Sequence, residues 1–451
     1  MNRSSSLGLT KSALVCSLAS LLAAACGDDA KTDPGVTIAP LVCPVVVSSA
    51  NCDKTLRPIV FIHGTLGAGD NGEHIAMLFG SNGYCQDRFV AVDYNSLGGD
   101  PSAQVDALIA KVLAATGQKQ VDLMGHSQGG LHGYQYLTDA KHPERVPLVA
   151  NYIHLAGGAQ QTPIAGVRTM SIVSNSDKVA GLGAVEGSTL VTLDTQDHMG
   201  VAESSEAFGH MYNFLIGHDP QYLDVQCGDE EVTLAGKSAS LGDNVPAGGS
   251  TVEFYELGSD PWKRGLPVAT AMVAADGTVP PLKLKRGVAY ESRLVDTTNA
   301  VVGHMYYTPW KRDDLLMRAL VPAATGLAST ITSKIPRDDA QSVIIVRYNE
   351  SALRSDLGNT LTFDGKNALL AADATAETCT VGYFTWDDNH NGITDLTDIP
   401  GVSPIPLFVK AVDVFTDAKK PKFVDVTFNG VTLKVPNWPS MSQGPTIVMF
   451  Q

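Results

Sequence analysis

Gly125-His126-Ser127-Gln128-Gly129 sets a serine between two glycines in the pattern Gly-x-Ser-x-Gly. The chemistry this would do is nucleophilic attack on an ester carbonyl. A strained turn between a strand and a helix exposes the hydroxyl, and it needs glycine two positions either way, where side chains would collide. A plain surface serine in a tight turn is the alternative, but the apolar run Val121-Asp122-Leu123-Met124 before it and helical spacing over 131–137 after it favour the nucleophile. A serine needs a base, and the base an orienting acid. His198, in Thr195-Gln196-Asp197-His198-Met199-Gly200, falls between a predicted strand and a predicted helix and is the expected base. Asp177, in Ser174-Asn175-Ser176-Asp177, is the expected acid, in the chain order Ser, Asp, His. His210 reads as a helix residue, and His126, His63 and His154 as local hydrogen-bonding groups. Asp197 adjoins His198 too closely to reach the far ring nitrogen and reads as a solvated turn residue. His63-Gly64-Thr65-Leu66-Gly67 ends an apolar run. The amides of Thr65 and Gln128 are the expected donors to a tetrahedral oxyanion.

These residues need a frame. Ile59-Val60-Phe61-Ile62 and Phe89-Val90-Ala91-Val92 are short continuous apolar runs of the kind found in buried parallel strands. Val105, Leu108, Ile109, Val112 and Leu113 recur at helical spacing and stop at Gly117. Further strands are predicted at 152–155, 169–173 and 189–193, and an amphipathic helix at 203–216. Alternating strands and helices over 54–218 predict an α/β domain, a doubly wound and mostly parallel sheet. A large lid has no room in this half, and residues 66–79 could form at most a small flap.

From 229 to 451 the texture changes. Polar and apolar residues alternate in short runs between Gly and Pro, which predicts a mainly β region, a sandwich or barrel, with room for two subdomains. One helical piece is predicted at 313–320. Within this half, Asp387, Asn389, Asn391, Asp395 and Asp398 stand at positions 1, 3, 5, 9 and 12 of a calcium-type loop. Gly392 occupies the sharp-turn position and the Ile393 carbonyl position 7. The expected role is a structural calcium; the bland reading is an acidic turn. No metal or cofactor is expected in the hydrolytic chemistry.

A net charge of −15 argues against nucleic acid as a partner. Arg3 and Lys11, an apolar stretch and Leu22-Ala23-Ala24-Ala25-Cys26 read as a lipoprotein leader over 1–26, with Cys26 lipidated as a membrane anchor. Residues 27–53 read as a tether. Export to the cell envelope or beyond makes disulfides plausible among Cys43, Cys52, Cys85, Cys227 and Cys379, one of which must stay unpaired within the chain. Proximity favours Cys43 with Cys52.

The chain resembles secreted bacterial and archaeal lipases of the α/β-hydrolase fold, most of all two-domain archaeal lipases with a C-terminal β-barrel. The elbow carries part of this. More discriminating are the stretch around His198-Met199-Gly200, His304-Met305-Tyr306-Tyr307-Thr308-Pro309-Trp310-Lys311-Arg312-Asp313-Asp314-Leu315, Val343-Ile344-Ile345-Val346-Arg347-Tyr348 and residues 386–398. The resemblance implies hydrolysis of acyl-lipid esters, with the C-terminal region helping to bind lipid. The chain departs from it at Leu155-Ala156-Gly157-Gly158, where the relatives carry their acid and this sequence has none; Asp177 therefore rests on the wider layout of such folds. A polyester depolymerase would show the same three residues, and a surface binding protein with a vestigial hydrolase domain is the reading from another class. Since Ser127, Asp177 and His198 all precede Gly217, removing 229–451 is expected to harm emulsified long-chain substrate more than a soluble short ester.

Overall fold

The computed structural model describes residues 41–348, 350–371, 374–402 and 408–451. The leader, Cys26 and most of the tether lie outside them. The first half is a six-stranded parallel sheet in the order β2-β1-β3-β4-β5-β6. Its strands are β1 (Ile59–Ile62), β2 (Phe89–Val92), β3 (Val121–His126), β4 (Val149–Leu155), β5 (Arg168–Ser174) and β6 (Thr189–Leu193). Side chains alternate across the strands into two cores. Ile59, Phe61, Met124, Ile153 and Ile172 pack with α1 (Glu73–Ser81) and α5 (Ser205–Ile216). Val60, Ile62, Leu123 and Tyr152 pack with α2 (Ser102–Thr116) and α3 (Gln128–Thr138). The strand order reverses between β1 and β3, which opens a crevice at their carboxyl ends.

The second half is β throughout except for short helices. A three-stranded sheet joins β10 (Thr278–Lys285), β7 (Glu231–Ser240) and β13 (Asp314–Val321). An eight-stranded sheet runs β18 (Val409–Asp413), β17 (Gly382–Trp386), β14 (Ile344–Tyr348), β21 (Thr446–Phe450), β12 (Val301–Tyr307), β11 (Tyr290–Val295), β8 (Thr251–Glu256) and β9 (Ala269–Met272). A four-stranded sheet holds β16 (Lys366–Asn367), β15 (Leu361–Phe363), β19 (Phe423–Phe428) and β20 (Val431–Pro436). The eight-stranded sheet is the middle layer. Met305, Tyr307, Ile345, Phe384 and Ile447 face the three-stranded sheet, and Tyr306, Ile344, Val346, Tyr383 and Val448 face the four-stranded one. Met77 of α1 belongs to the first of these cores, so the halves share apolar packing.

Three expectations are corrected. Residues 313–320 form strand β13, not a helix, because parallel pairing with β7 over Asp314 to Val321 outweighs the local helical preference of Leu315-Leu316-Met317. Residues 66–79 are no flap: α1 is almost wholly buried between the halves. The disulfides join Cys43 to Cys227 and Cys52 to Cys85, leaving Cys379 buried and unpaired. Val47 donates its amide to the Cys227 carbonyl, so the lead-in lies along the chain connecting the halves rather than folding on itself. The predicted helix at 203–216 also begins differently. Ser204 breaks it after the single turn α4 (Gly200–Glu203) and caps α5 by accepting the Ala207 amide. The remaining helices are α6 (Gly326–Thr332) and α7 (Ser440–Gln443).

Candidate active site

β3 ends in the strained turn its glycines foretell. Ser127 has φ 55° and ψ −124°, a conformation side chains rarely adopt. A Cβ on Gly125 would lie 2.3 Å from the Gly129 carbonyl oxygen, and one on Gly129 2.1 Å from that of Ile62. Both glycines are thus required for helix α3 to start this close to β1. Ser127 sits at the switch point of the sheet, over the carboxyl end of β3.

His198 and Asp177 meet beside it. His198 Nδ1 lies 2.9 Å from Asp177 Oδ2, and both side chains are buried. Asp177 Oδ1 accepts the amides of Val179 and Ala180 at 2.8 and 3.0 Å. Burial pushes the Asp177 pKa up, but His198 and these amides outweigh it and hold the carboxyl below its ordinary value. Asp177 therefore stays ionised and fixes the imidazole with Nδ1 protonated. That leaves His198 Nε2 as the free lone pair, and it has no hydrogen-bond partner among the described residues. The unused nitrogen and the Ser127 hydroxyl line one cleft.

The other candidates separate cleanly. His126 Nε2 donates to the His198 carbonyl at 2.9 Å, and burial drops its pKa to about 3, so it is a neutral prop for the base loop. His63 is buried against Tyr94 with its pKa lowered to about 4, and His154 bonds the Gly158 carbonyl. His210 is exposed on α5. Asp197 is not the solvated turn residue expected. It is buried, caps α4 through the Met199 and Gly200 amides, and accepts the Ala352 amide from the β region at 3.3 Å.

The oxyanion candidates lie on the loop after β1 and at the start of α3. Thr65 Oγ1 donates to Gln128 Oε1 at 2.8 Å, which ties the loop after β1 to the start of α3. Leu66, at φ 57°, gives its amide to Ser96 Oγ. Among the described residues, the backbone amides of Thr65 and Gln128 find no protein acceptor.

The cleft encloses about 940 Å³ including its open mouth. Its far wall was missed in the sequence: Leu241, Ile331, Ile345, Val381, Phe384 and Phe408 all come from the β region. Arg347 is the charged exception, held at 2.9 Å by Asp70. The apolar run Ile344-Ile345-Val346 suits a strand, but nothing local tells which face would meet Ser127.

The calcium-type loop is compact. Asp387 is buried and accepts the amides of Asn391 and Gly392, while the side-chain nitrogens of Asn389 and Asn391 both reach Asp395 Oδ2 at 2.8 Å. Asp398 lies apart from them, 3.6 Å from Lys410. Among the described residues no three His, Cys, Asp or Glu side chains form a ready metal shell. An ion here would therefore draw on the two asparagine oxygens and the Ile393 carbonyl.

Residues 57–151 match the family model described as alpha/beta hydrolase fold, and residues 230–324 match the lipase C-terminal domain. The chain joins an α/β-hydrolase domain to a lipase C-terminal domain. Solved structures to which the chain is similar include lipase BlEst2 from Bacillus licheniformis, at 17% identity and TM-score 0.30 over 36% of this chain and 94% of that one. Aspergillus fumigatus lipase B is similar at 15% identity and TM-score 0.29, over 39% of this chain and 56% of that one. Carboxylesterase CesB from Bacillus subtilis is similar at 14% identity and TM-score 0.26, over 37% and 86%. These likenesses stop at the hydrolase domain's share of the length and carry no argument about substrate.

Proposed function

We propose that this protein is an exported serine-dependent lipase or carboxylesterase that cleaves acyl-lipid esters through an acyl-enzyme. The observation that carries the reading is the cleft in which Ser127 and the unpartnered His198 Nε2 share an apolar wall. Ser127 Oγ attacks the ester carbonyl while His198 Nε2 takes its proton. Asp177 stabilises the imidazolium, and the Thr65 and Gln128 amides receive the oxyanion. His198 then returns the proton to the leaving alcohol, and water releases the acyl group by the same steps. The wall is apolar and its one cation is already paired with Asp70, which suits an uncharged acyl chain. Leu241, Ile345 and Arg347 also line a second apolar pocket with Leu320, Ile335 and Ile447, which offers a longer chain room to extend. A fluorophosphonate should label wild type and not Ser127→Ala. A p-nitrophenyl ester series should then show activity rising with acyl length beyond acetyl. Failure to label rejects the serine mechanism; preference for acetyl alone rejects the acyl-lipid reading.

Two disulfides suit an oxidising compartment and support export; anchoring through a lipidated Cys26 is read from the leader. Among the described residues no helix is long and apolar enough to cross a membrane. The loop at 387–398 is proposed as a structural calcium site in which Asp387, Asn389, Asn391, Asp395 and the Ile393 carbonyl would hold the ion and Asp398 would leave Lys410. Calcium at one hundred times its dissociation constant would add about 2.7 kcal/mol of stability. Chelator should lower the melting temperature of wild type and not of Asp387→Ala; an unchanged wild type makes the loop an ordinary acidic turn.

A further inference from the structure

The oxyanion loop is held by a residue the hydrolase domain does not own. Asn244 lies in the turn after β7, in the β region, with φ 55°, a backbone conformation that asparagine tolerates better than most residues. Its side chain is buried and reaches back into the hydrolase domain. Nδ2 donates to the Gly67 carbonyl at 2.8 Å and to the Tyr94 carbonyl at 2.9 Å, so both amide protons are spent. The same nitrogen lies 3.4 Å from His63 Nε2. The turn that presents it is itself closed: Val245 donates to Ser240 Oγ, and the Asn244 amide to the Ser240 carbonyl. Leu241 and Gly242, on the same turn, line the cleft.

Each of these bonds constrains the segment that carries Thr65. Gly67 donates its own amide to the Gly64 carbonyl, closing a turn around Thr65 and Leu66. Holding the Gly67 carbonyl therefore fixes the far end of that turn. Holding the Tyr94 carbonyl fixes the β2 end, from which Ser96 receives the Leu66 amide. Without Asn244, the Gly67 and Tyr94 carbonyls lose this donor from the β region, and the loop is left with contacts inside the hydrolase domain, among them those to Ser96, Gln128 and Asp93.

We infer that Asn244 is a positioning residue for the oxyanion hole, through which the β region sets the aim of the Thr65 amide. It touches no reacting atom. This rests on the hydrolase reading of Ser127, and the test keeps the two apart. An oxyanion donor matters in the transition state and little in substrate binding. Asn244→Ala should therefore lower kcat on a soluble short ester by about 10²-fold, the scale of a 1 Å misplacement. KM should stay within about threefold. Asn244→Asp, which sets a carboxylate against two carbonyls, should be at least as damaging.

The control is Gln86→Ala. Gln86 bridges the same two halves by donating to the Asp313 carbonyl at 2.8 Å and accepting from Arg312 at 2.7 Å, and it does not line the cleft. It should lower the melting temperature and leave kcat per labelled site unchanged. Active sites are counted with a fluorophosphonate, and the rate of phosphonylation, which also builds negative charge on oxygen, should fall in Asn244→Ala in step with kcat. If Asn244→Ala keeps kcat within threefold of wild type, or if Gln86→Ala loses as much kcat, the residue is merely an interface bond and the inference is overturned. If Ser127→Ala retains the activity, it is the hydrolase reading that fails instead.

Discussion

Each half of the molecule buries one histidine against one carboxylate at the same distance. His198 meets Asp177 at 2.9 Å in the hydrolase domain, and His304 meets Glu291 at 2.9 Å in the β region. The difference lies in what surrounds the pair. Glu291 also takes Arg264 and the Tyr306 hydroxyl, and the His304 ring stacks on Trp438 at 4.6 Å. Arg264 in turn lies over the same indole, 3.7 Å from its centroid. Glu291 and Arg264 offset each other's charge, and His304, although its Nε2 is also buried without a partner among the described residues, does not line the cleft that holds Ser127. Asp177 has only local amides besides His198, and the His198 ring opens on the cleft that holds Ser127. A histidine–carboxylate contact is thus no signature of catalysis by itself. What matters is whether the far nitrogen meets a nucleophile and a space for substrate.

The largest effects should separate the two pairs. Ser127→Ala and His198→Ala should each cost about 10⁴–10⁶ in kcat, and Asp177→Asn about 10⁴ because the imidazole takes the wrong tautomer. All three should melt as folded proteins. Glu291→Gln should do the reverse: kcat per labelled site unchanged, with about 3–5 kcal/mol of stability lost as Arg264 keeps a buried charge without its partner. Calorimetry and ester turnover on the same samples decide it. A Glu291→Gln enzyme that melts normally but turns over slowly would erase the distinction. If Asp197→Asn proves worse for turnover than Asp177→Asn, the acid is misassigned.

The meeting of His198 with Asp177 could be anticipated from sequence and that of His304 with Glu291 could not, for a physical reason. Ser127, Asp177 and His198 each follow a predicted strand, and parallel strands deliver such loops to one edge. Asn244 and the cleft wall depend on how two separate sheets pack, a relation no local pattern encodes. Gly242-Asp243-Asn244 carries no local motif that points toward Ser127. Residues 313–320 were expected to be helical because their leucines, methionine and alanine favour helix in isolation, while a ladder to β7, about eighty residues away, makes Asp314–Val321 a strand. Disulfide pairing failed likewise: proximity in sequence favoured Cys43 with Cys52, and the fold carries each elsewhere. Removing 229–451 also looks different now. The β region supplies the cleft wall, the Asn244 contacts and the Ala352 amide on Asp197, so truncation should impair a short soluble ester as well as an emulsion.

A third buried acid sharpens the contrast from the opposite side. Glu73 on α1 faces Asp314 and Asp70, with Arg347 nearby. Burial first, then the charge of Asp314, raises its pKa well above the ordinary value, and Asp314 itself is raised to about 6, chiefly by burial. Glu73 is thus the protonated member that donates to Asp314, while Gln451 donates to Glu73 Oε1. Asp177 and Glu291 have lowered values, so their contribution is present above the ordinary carboxylate range and is lost as pH falls through the folded pKa. For Glu73 the sign reverses. Its contribution is complete below the unfolded pKa near 4.3 and fades as pH rises toward the folded one. Glu73→Gln keeps both hydrogen bonds and removes the titration. Its melting temperature relative to wild type should rise by a few degrees as pH climbs above the unfolded pKa near 4.3, while turnover per labelled site stays the same. A difference that is flat with pH would mean that Glu73 is ionised in the folded protein and paired with Arg347, like the carboxylates it is set against.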